Sequence, residues 1–223
     1  MVVVGVGGVG SWATEALARS GVARLTLIDF DHVAESNINR QVHAVTASLG
    51  QAKVLAMRER IHSFHPECQV QCVEAFVEAE DCAALLPADA NAVIDACDQV
   101  RVKTALAAWS LSASRIFVMS GAAGGKRLAH LTDVDDLAQV THDPLLAKVR
   151  YQLRRDSSAP RGGKKIGVAC VFSRETVAPP DAACGLAGDG SLNCHGFGSL
   201  VSVTATFGLC AAGFVVNALA QQG

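Results

Sequence analysis

Residues in the first hundred positions are spaced for work on a phosphorylated nucleotide. Gly5, Gly7 and Gly10 fit G-x-G-x-x-G, with Gly8 inside the loop. In such a loop the first glycine permits a tight turn, the second lets main chain approach a phosphate, and the third lets a helix pack on a strand. The amides that open that helix then face the anion. Asp29 stands 19 residues after Gly10 at the end of the apolar run Leu25 to Ile28, where a carboxylate can accept hydrogen bonds from a ribose. Arg40 and Lys53 read either as solvated cations or as the charges a triphosphate needs and a glycine loop cannot supply. Asp95 and Asp98 close a further apolar run; such acids hold Mg²⁺ beside phosphates or cap the next helix. The glycines and Asp29 alone also suit an NAD-dependent oxidoreductase, but a dinucleotide needs no triphosphate clamp such as Arg40, Lys53 and Asp98.

These residues need a frame that brings strand ends together. Val2 to Val4 read as a strand, and Trp12, Ala13, Ala16, Leu17 and Val22 follow helical spacing to a stop at Ser20-Gly21. Leu25 to Ile28 gives the second strand, and the polar stretch Asp31 to Gln41 a loop at its carboxyl end. The pattern then predicts a helix from about Gly50 to His65, a strand over Gln69 to Ala75, a short helix over Asp81 to Leu86 and a strand over Ala92 to Asp98. A helix through Trp109 and a strand over Ile116 to Ser120 follow. Strands alternating with helices imply an α/β, Rossmann-like, doubly wound and mostly parallel sheet with its nucleotide site at the strand carboxyl edge.

With 223 residues, half of them hydrophobic, the chain can bury one core, so a single domain over 1–223 is expected. A net charge of −2 excludes a uniformly basic nucleic-acid binder but leaves room for a local patch. Arg150, Arg154, Arg155, Arg161, Lys164 and Lys165 face one acid, Asp156, among serines, glycines and Pro160. This reads as a flexible basic loop at about 154–165, either solvated surface or a contact for nucleic-acid phosphates. Eight cysteines without a C-x-x-C pair disfavour structural zinc. The immediate entry into a strand leaves no signal peptide, so a cytoplasmic protein with reduced thiols is expected. Leu200 to Ala220 is uncharged and long enough to raise a membrane question. Ser202, Thr204, Thr206 and Asn217, with no basic flanks, favour a buried helix or a homodimer surface over stable membrane association.

Gly5-Val6-Gly7-Gly8-Val9-Gly10, Asp29-Phe30-Asp31, Asn37-Ile38-Asn39-Arg40-Gln41, Lys53 and Asp95-Ala96-Cys97-Asp98 resemble the successive motifs of the ubiquitin-activating-enzyme-like adenylating superfamily. That resemblance implies ATP in the cleft and a carboxylate activated by attack on the α-phosphate. It assigns Asp29 to the ribose, Asn39, Arg40 and Lys53 to the phosphates, and Asp98 to Mg²⁺. Gly5, Gly7, Gly8, Gly10, Asp31, Gln41 and Asp95 complete the implied nucleotide site. Gln99 stands where the family often has Asn.

Gly121 to Gly125, Asp143 to Arg150, Lys165 to Ser173 and Asn193 to Gly198 are similar to the tRNA threonylcarbamoyladenosine dehydratases. The implied reaction is of the ligase or cyclase type: ATP-dependent dehydration of N6-threonylcarbamoyladenosine at position 37 of tRNA, through an activated carboxylate that a neighbouring carbamoyl nitrogen closes upon. The same resemblance implies a tRNA substrate, a homodimer, an alkali ion and a cysteine-desulfurase sulfur-relay partner. It makes Cys194 a candidate for covalent transfer beside a purely structural thiol. The family usually carries about a helix of chain before the glycine loop, with an arginine that reaches ATP in related enzymes; this chain is expected to lack that extension. The alternative activity is adenylation of the C-terminus of a ubiquitin-like sulfur carrier, against which the missing C-x-x-C pairs count.

Overall fold

Three valines buried on both faces can sit only at the middle of a covered sheet, and Val2–Val4 forms that central strand, β1. The computed structural model describes residues 1–113, 115–178 and 198–222. After β1 come α1 (Gly10–Arg19), β2 (Arg24–Ile28), α2 (Lys53–His62), β3 (Gln69–Val73) and β4 (Ala92–Asp95). The second half adds α3 (Val100–Ala113), β5 (Ile116–Ser120), β6 (Thr132–Asp136), α4 (Pro144–Asp156), β7 (Ala169–Ser173) and α5 (Val201–Ala220). The seven strands lie in the order β3-β2-β1-β4-β5-β7-β6, all parallel except β6, which runs antiparallel to β7. The chain leaves β1 in one direction to reach β2 and later returns to its other side as β4. That reversal opens a crevice at the carboxyl ends of β1 and β4, the place where open α/β sheets bind ligands.

Helices α1, α2 and α5 cover one face through Ala13, Leu17, Met57, Ile61, Val203 and Phe207. Helices α3 and α4 cover the other through Val102, Leu106, Leu146, Val149 and Leu153. Helix α5 is long and apolar enough to cross a membrane by length and composition. Nevertheless its Val203, Phe207, Ala211 and Val215 are buried, and Gly208 touches α1 so closely that a Cβ there would lie 2.5 Å from the Val9 carbonyl oxygen.

Several boundaries differ from the sequence reading. Asp81–Leu86 forms successive turns, since six residues before Pro87 do not repay helix nucleation. Helix α2 stops at His62, ahead of Pro66, whose ring disfavours helical backbone before it. Strand β4 ends at Asp95, which leaves Asp98 in the following loop. The basic stretch is partly helical: Arg150, Arg154 and Arg155 belong to α4, so a loop begins only at Ser157. Asp143 caps that helix by accepting from the Leu146 amide at 2.9 Å, with Pro144 in its first turn.

Candidate functional site

The glycine loop turns because Gly5 can take a φ of +82°, with the main chain of Ala96 and Cys97 directly against it. A Cβ on Gly10 would overlap the Gly5 carbonyl oxygen, so the third glycine lets the start of α1 pack against the loop. Helix α1 begins with no side-chain cap, and its Ser11 and Ala13 amides donate to Gly7 O and Val9 O at 3.0 Å each, so an incoming anion would meet the loop amides just ahead of them. Asp29 holds this arrangement from β2: its Oδ2 accepts from the Val6 amide at 2.6 Å and its Oδ1 from the Asp31 amide at 2.9 Å. Burial pushes the Asp29 carboxyl up, while Lys53 and those two amides pull it back.

Residues 31–41 form the next wall and are pinned at both ends. Lys53 opens α2 with its amide on the Asp31 carbonyl and its Nζ 2.6 Å from Asp31 Oδ2. Lys53 is buried and Asp31 exposed, so the pair points a cation into the cleft from a covered stem. The Trp12 indole on α1 donates to the Arg40 carbonyl at 3.0 Å. Arg40 donates to Ser36 O at 2.7 Å and to Asn39 Oδ1 at 2.9 Å, while Asn39 Nδ2 donates to Ser199 O ahead of α5. Gln41 is buried at the cleft with its Oε1 lacking a protein hydrogen-bond partner.

Together these elements enclose a cleft of about 470 Å³ at the carboxyl edge of the sheet. Gly5, Gly7, Gly8, Asp29, Asp31, Arg40, Gln41, Lys53 and Asp98 line it. Gly10 and Asn39 stand behind the lining as packing and bracing residues. Asp95 is turned away from the cleft, contrary to its expected place in the nucleotide site. Its fully buried carboxylate lies 3.0 Å from the equally buried Lys103 Nζ on α3 and accepts the Cys97 amide at 3.1 Å. Burial works against the Lys103 charge, yet Asp95 and Cys97 outweigh it and raise the lysine. Cys194, the candidate for covalent transfer, lies outside the described residues, as does Cys184. The six cysteines among the described residues are unpaired. Of these Cys97 borders the cleft, but burial and then Asp95 hold its thiol well above the ordinary range, so it is no nucleophile.

The sequence reading missed the far wall: Phe76 beyond β3, Ser120–Gly124 after β5, Leu145 on α4, and Ser199 and Thr204 at α5. A glycine-rich run directly after a buried strand, Gly121 to Gly125, was the available signal. A larger hollow of about 780 Å³ opens at the opposite edge, among the starts of β1, β2 and β3. Its one glycine, Gly21, lies at the end of α1 and not in a loop ahead of a helix start, and Arg24 there is paired with Asp89, so size does not make it the candidate. Among the described residues no group of three or more His, Cys, Asp or Glu is placed to hold a metal. Asp98 could therefore hold Mg²⁺ only with oxygens from the nucleotide, which is how Mg²⁺ is usually held beside phosphates.

The sequence pattern of the ThiF family matches residues 1–221. The tRNA threonylcarbamoyladenosine dehydratase of Escherichia coli (strain K12) is 42% identical over 234 residues, covering 99% of this chain and 87% of that protein. The crystal structure of E. coli tRNA N6-threonylcarbamoyladenosine dehydratase in complex with ATP superposes with a TM-score of 0.86 at 40% identity, covering all of this chain and 87% of that one. The E. coli (strain K12) molybdopterin-synthase adenylyltransferase is 37% identical over 123 residues, covering 55% of this chain and 49% of that protein.

Proposed function

This chain belongs to the ThiF family, and from that membership and the cleft we propose that it is an ATP-dependent tRNA threonylcarbamoyladenosine dehydratase. The observation that carries the reading is coverage: likeness to the E. coli dehydratase extends over 99% of the chain, whereas likeness to the adenylyltransferase extends over 55%. Adenylation of a sulfur-carrier C-terminus is accordingly the second reading, favoured by that shared half. The ATP complex of the dehydratase supports ATP over NAD as the nucleotide.

In the proposed reaction a threonyl carboxylate oxygen bonds to the α-phosphorus and pyrophosphate leaves. The carbamoyl nitrogen then bonds to the activated carbonyl carbon, loses its proton, and AMP departs; the net loss from the base is one water. Asp29 holds the ribose, and the glycine-loop amides at the start of α1 hold phosphate oxygens. Arg40 and Lys53 meet the triphosphate charge in ground and transition states alike. Asp98 would hold Mg²⁺, which would supply positive charge beside the departing pyrophosphate. Gly8, Gln41 and Asn39 shape and brace the phosphate side, and we keep Asp95 as support for the loop that carries Asp98.

A tRNA needs phosphate contacts, and the segment from α4 to Lys165 offers them. Residues 144–165 hold seven cations and one acid, a net of +6, which leaves −8 for the remainder of a chain whose total is −2. Lys148, Tyr151 and Arg155 are exposed along α4, which starts at the cleft with Leu145. We further assign a homodimer, because α5 keeps Val201 and Leu209 exposed on its outer side. A cytoplasmic location follows from a tRNA substrate and unpaired thiols. A sulfur-relay partner would act on Cys194.

Incubation with ATP and tRNA bearing the linear nucleoside, followed by mass spectrometry of the digested nucleosides, tests the proposal. The expected product has lost one water. ATP-dependent adenylation of a ubiquitin-like carrier, with no such loss in the tRNA, would instead establish the second reading.

A further inference from the structure

Lys126 follows the glycine-rich far wall of the cleft and is 2% exposed, yet nothing in the reaction above uses it. Its ammonium donates to three main-chain carbonyls: Glu175 O at 2.8 Å, His142 O at 3.0 Å and Ser173 O at 3.3 Å. Those three bonds satisfy all its donors. The carbonyls come from the residue before the Asp143 cap of α4, the end of β7 and the segment after β7, and Lys126 joins them. Such a ring of carbonyl oxygens around one positive charge is the chemistry that replaces the hydration shell of a monovalent cation.

The surroundings show what the charge holds. His142 has a φ of +56°, a left-handed conformation uncommon for a residue with a side chain, and its carbonyl is aimed at Lys126. The next residue, Asp143, accepts from the Ala122 amide at 2.9 Å on the cleft wall and from Leu146 on α4. A Cβ on Gly121 would overlap the Asp143 carboxylate, so wall and helix start are in direct contact. On the other side the Glu175 carboxylate accepts the amides of Arg127 and Leu128, at 2.9 Å and 2.8 Å for the closest oxygen. The wall is thus tied at Ala122 through Asp143 and at its far end by Lys126 itself. Burial pulls the lysine down, while Asp143 and Glu175 support its charge.

We propose that Lys126 is a positioning residue that acts as a tethered monovalent cation, clamping the cleft wall Gly121–Gly124 to the start of α4 and the end of β7. The inference rests on the proposed reaction only for what the wall faces; the clamp itself is a property of the fold. It assigns to a side chain the work that a bound alkali or ammonium ion would do in the same ring of carbonyls.

Chemical rescue tests it. Lys126→Ala, purified and assayed with choline as the sole monovalent cation and Mg²⁺ kept constant, should turn over modified tRNA about 10- to 100-fold more slowly, the cost of a displaced wall, and melt lower than the wild type. Ammonium or methylammonium chloride should restore both rate and melting temperature in a saturable way. The wild type should ignore these ions, and so should Lys126→Met, whose thioether fills the space. Lys126→Ala matching the wild type in choline would overturn the clamp, as would a variant that no monovalent cation improves in either readout. A wild type that makes no cyclic product refutes the proposed reaction instead, and the melting arm still judges Lys126.

Discussion

Lys103 Nζ lies 3.0 Å from Asp95 Oδ2 where neither side chain is reached by solvent, directly behind the loop that carries Asp98 into the cleft. A pair this deep gains little over two apolar residues, but removing one partner leaves an uncompensated charge. Lys103→Met should therefore cost about 3–5 kcal/mol in urea unfolding. Adding Asp95→Asn in the same chain should recover part of that loss. A single variant within about 1 kcal/mol of the wild type would show that the pair is not an intact ion pair.

The contact between Gly10 and Gly5 makes a second prediction. Gly10→Ala puts a methyl on the Gly5 carbonyl oxygen, and the nearest relief moves α1 away from the loop. Overpacking at such a site costs about 1–3 kcal/mol. ATP affinity should fall further than global stability, because the displaced amides are those that face the phosphates. Calorimetric titration with ATP, set beside thermal melting, separates the two effects; unchanged ATP affinity would refute this role for Gly10.

The glycine loop and Asp29 were legible because turn geometry and a strand's end leave local signatures: φ must be positive at Gly5, and Asp29 must follow a buried run. Asp95 was not legible. Two acids near one strand end look equivalent in sequence, and only the last residue of β4 points inward, toward a lysine eight positions later. Thr204 and Leu145 reach the cleft from helices far along the chain, and Ser199 from just ahead of α5, so their place depends on how the sheet is wound and not on neighbouring residues.

His43 should govern part of the acid response. It is 3% exposed, neither ring nitrogen has a protein hydrogen-bond partner, and burial with the charges of Lys53 and Arg60 pulls its pKa from 6.5 to about 4. The folded protein thus keeps this ring neutral where the unfolded chain protonates it. Its contribution is complete above pH 6.5 and is lost as pH falls through the window down to about 4. That shift corresponds to roughly 3 kcal/mol. Carboxylates titrate in the lower part of the same window, so the test is the difference between wild type and His43→Leu in urea unfolding at several pH values. The variant's profile should be flatter between pH 6.5 and about 4; parallel profiles would show that His43 is not the group responsible.

The phosphate cluster offers the most discriminating kinetics, because Arg40, Lys53 and Asp98 line one cleft but are held differently. Lys53 is buried and paired with Asp31, so Lys53→Ala removes a cation and also releases the 31–41 wall. Arg40→Ala removes a charge from a loop that Trp12 still pins through the main chain. Both should weaken ATP binding and slow activation together, since phosphate is charged in the ground state and the transition state alike. Lys53→Ala should show the larger loss of thermal stability. Asp98 is exposed on its loop, so Asp98→Ala should leave folding intact. Its rate should fall more than its ATP affinity if Asp98 holds the proposed Mg²⁺, because such a metal would act chiefly as charge builds on the leaving pyrophosphate. Loss of one such contact is worth about 2–4 kcal/mol of transition-state stabilisation, or roughly 30- to 1,000-fold in rate. Single-turnover rates at saturating ATP, measured across a Mg²⁺ series, decide the assignment. Near-normal turnover by Asp98→Ala at ordinary Mg²⁺ would take the metal away from this residue, and the cleft's charge balance would then have to rest on Arg40 and Lys53 alone.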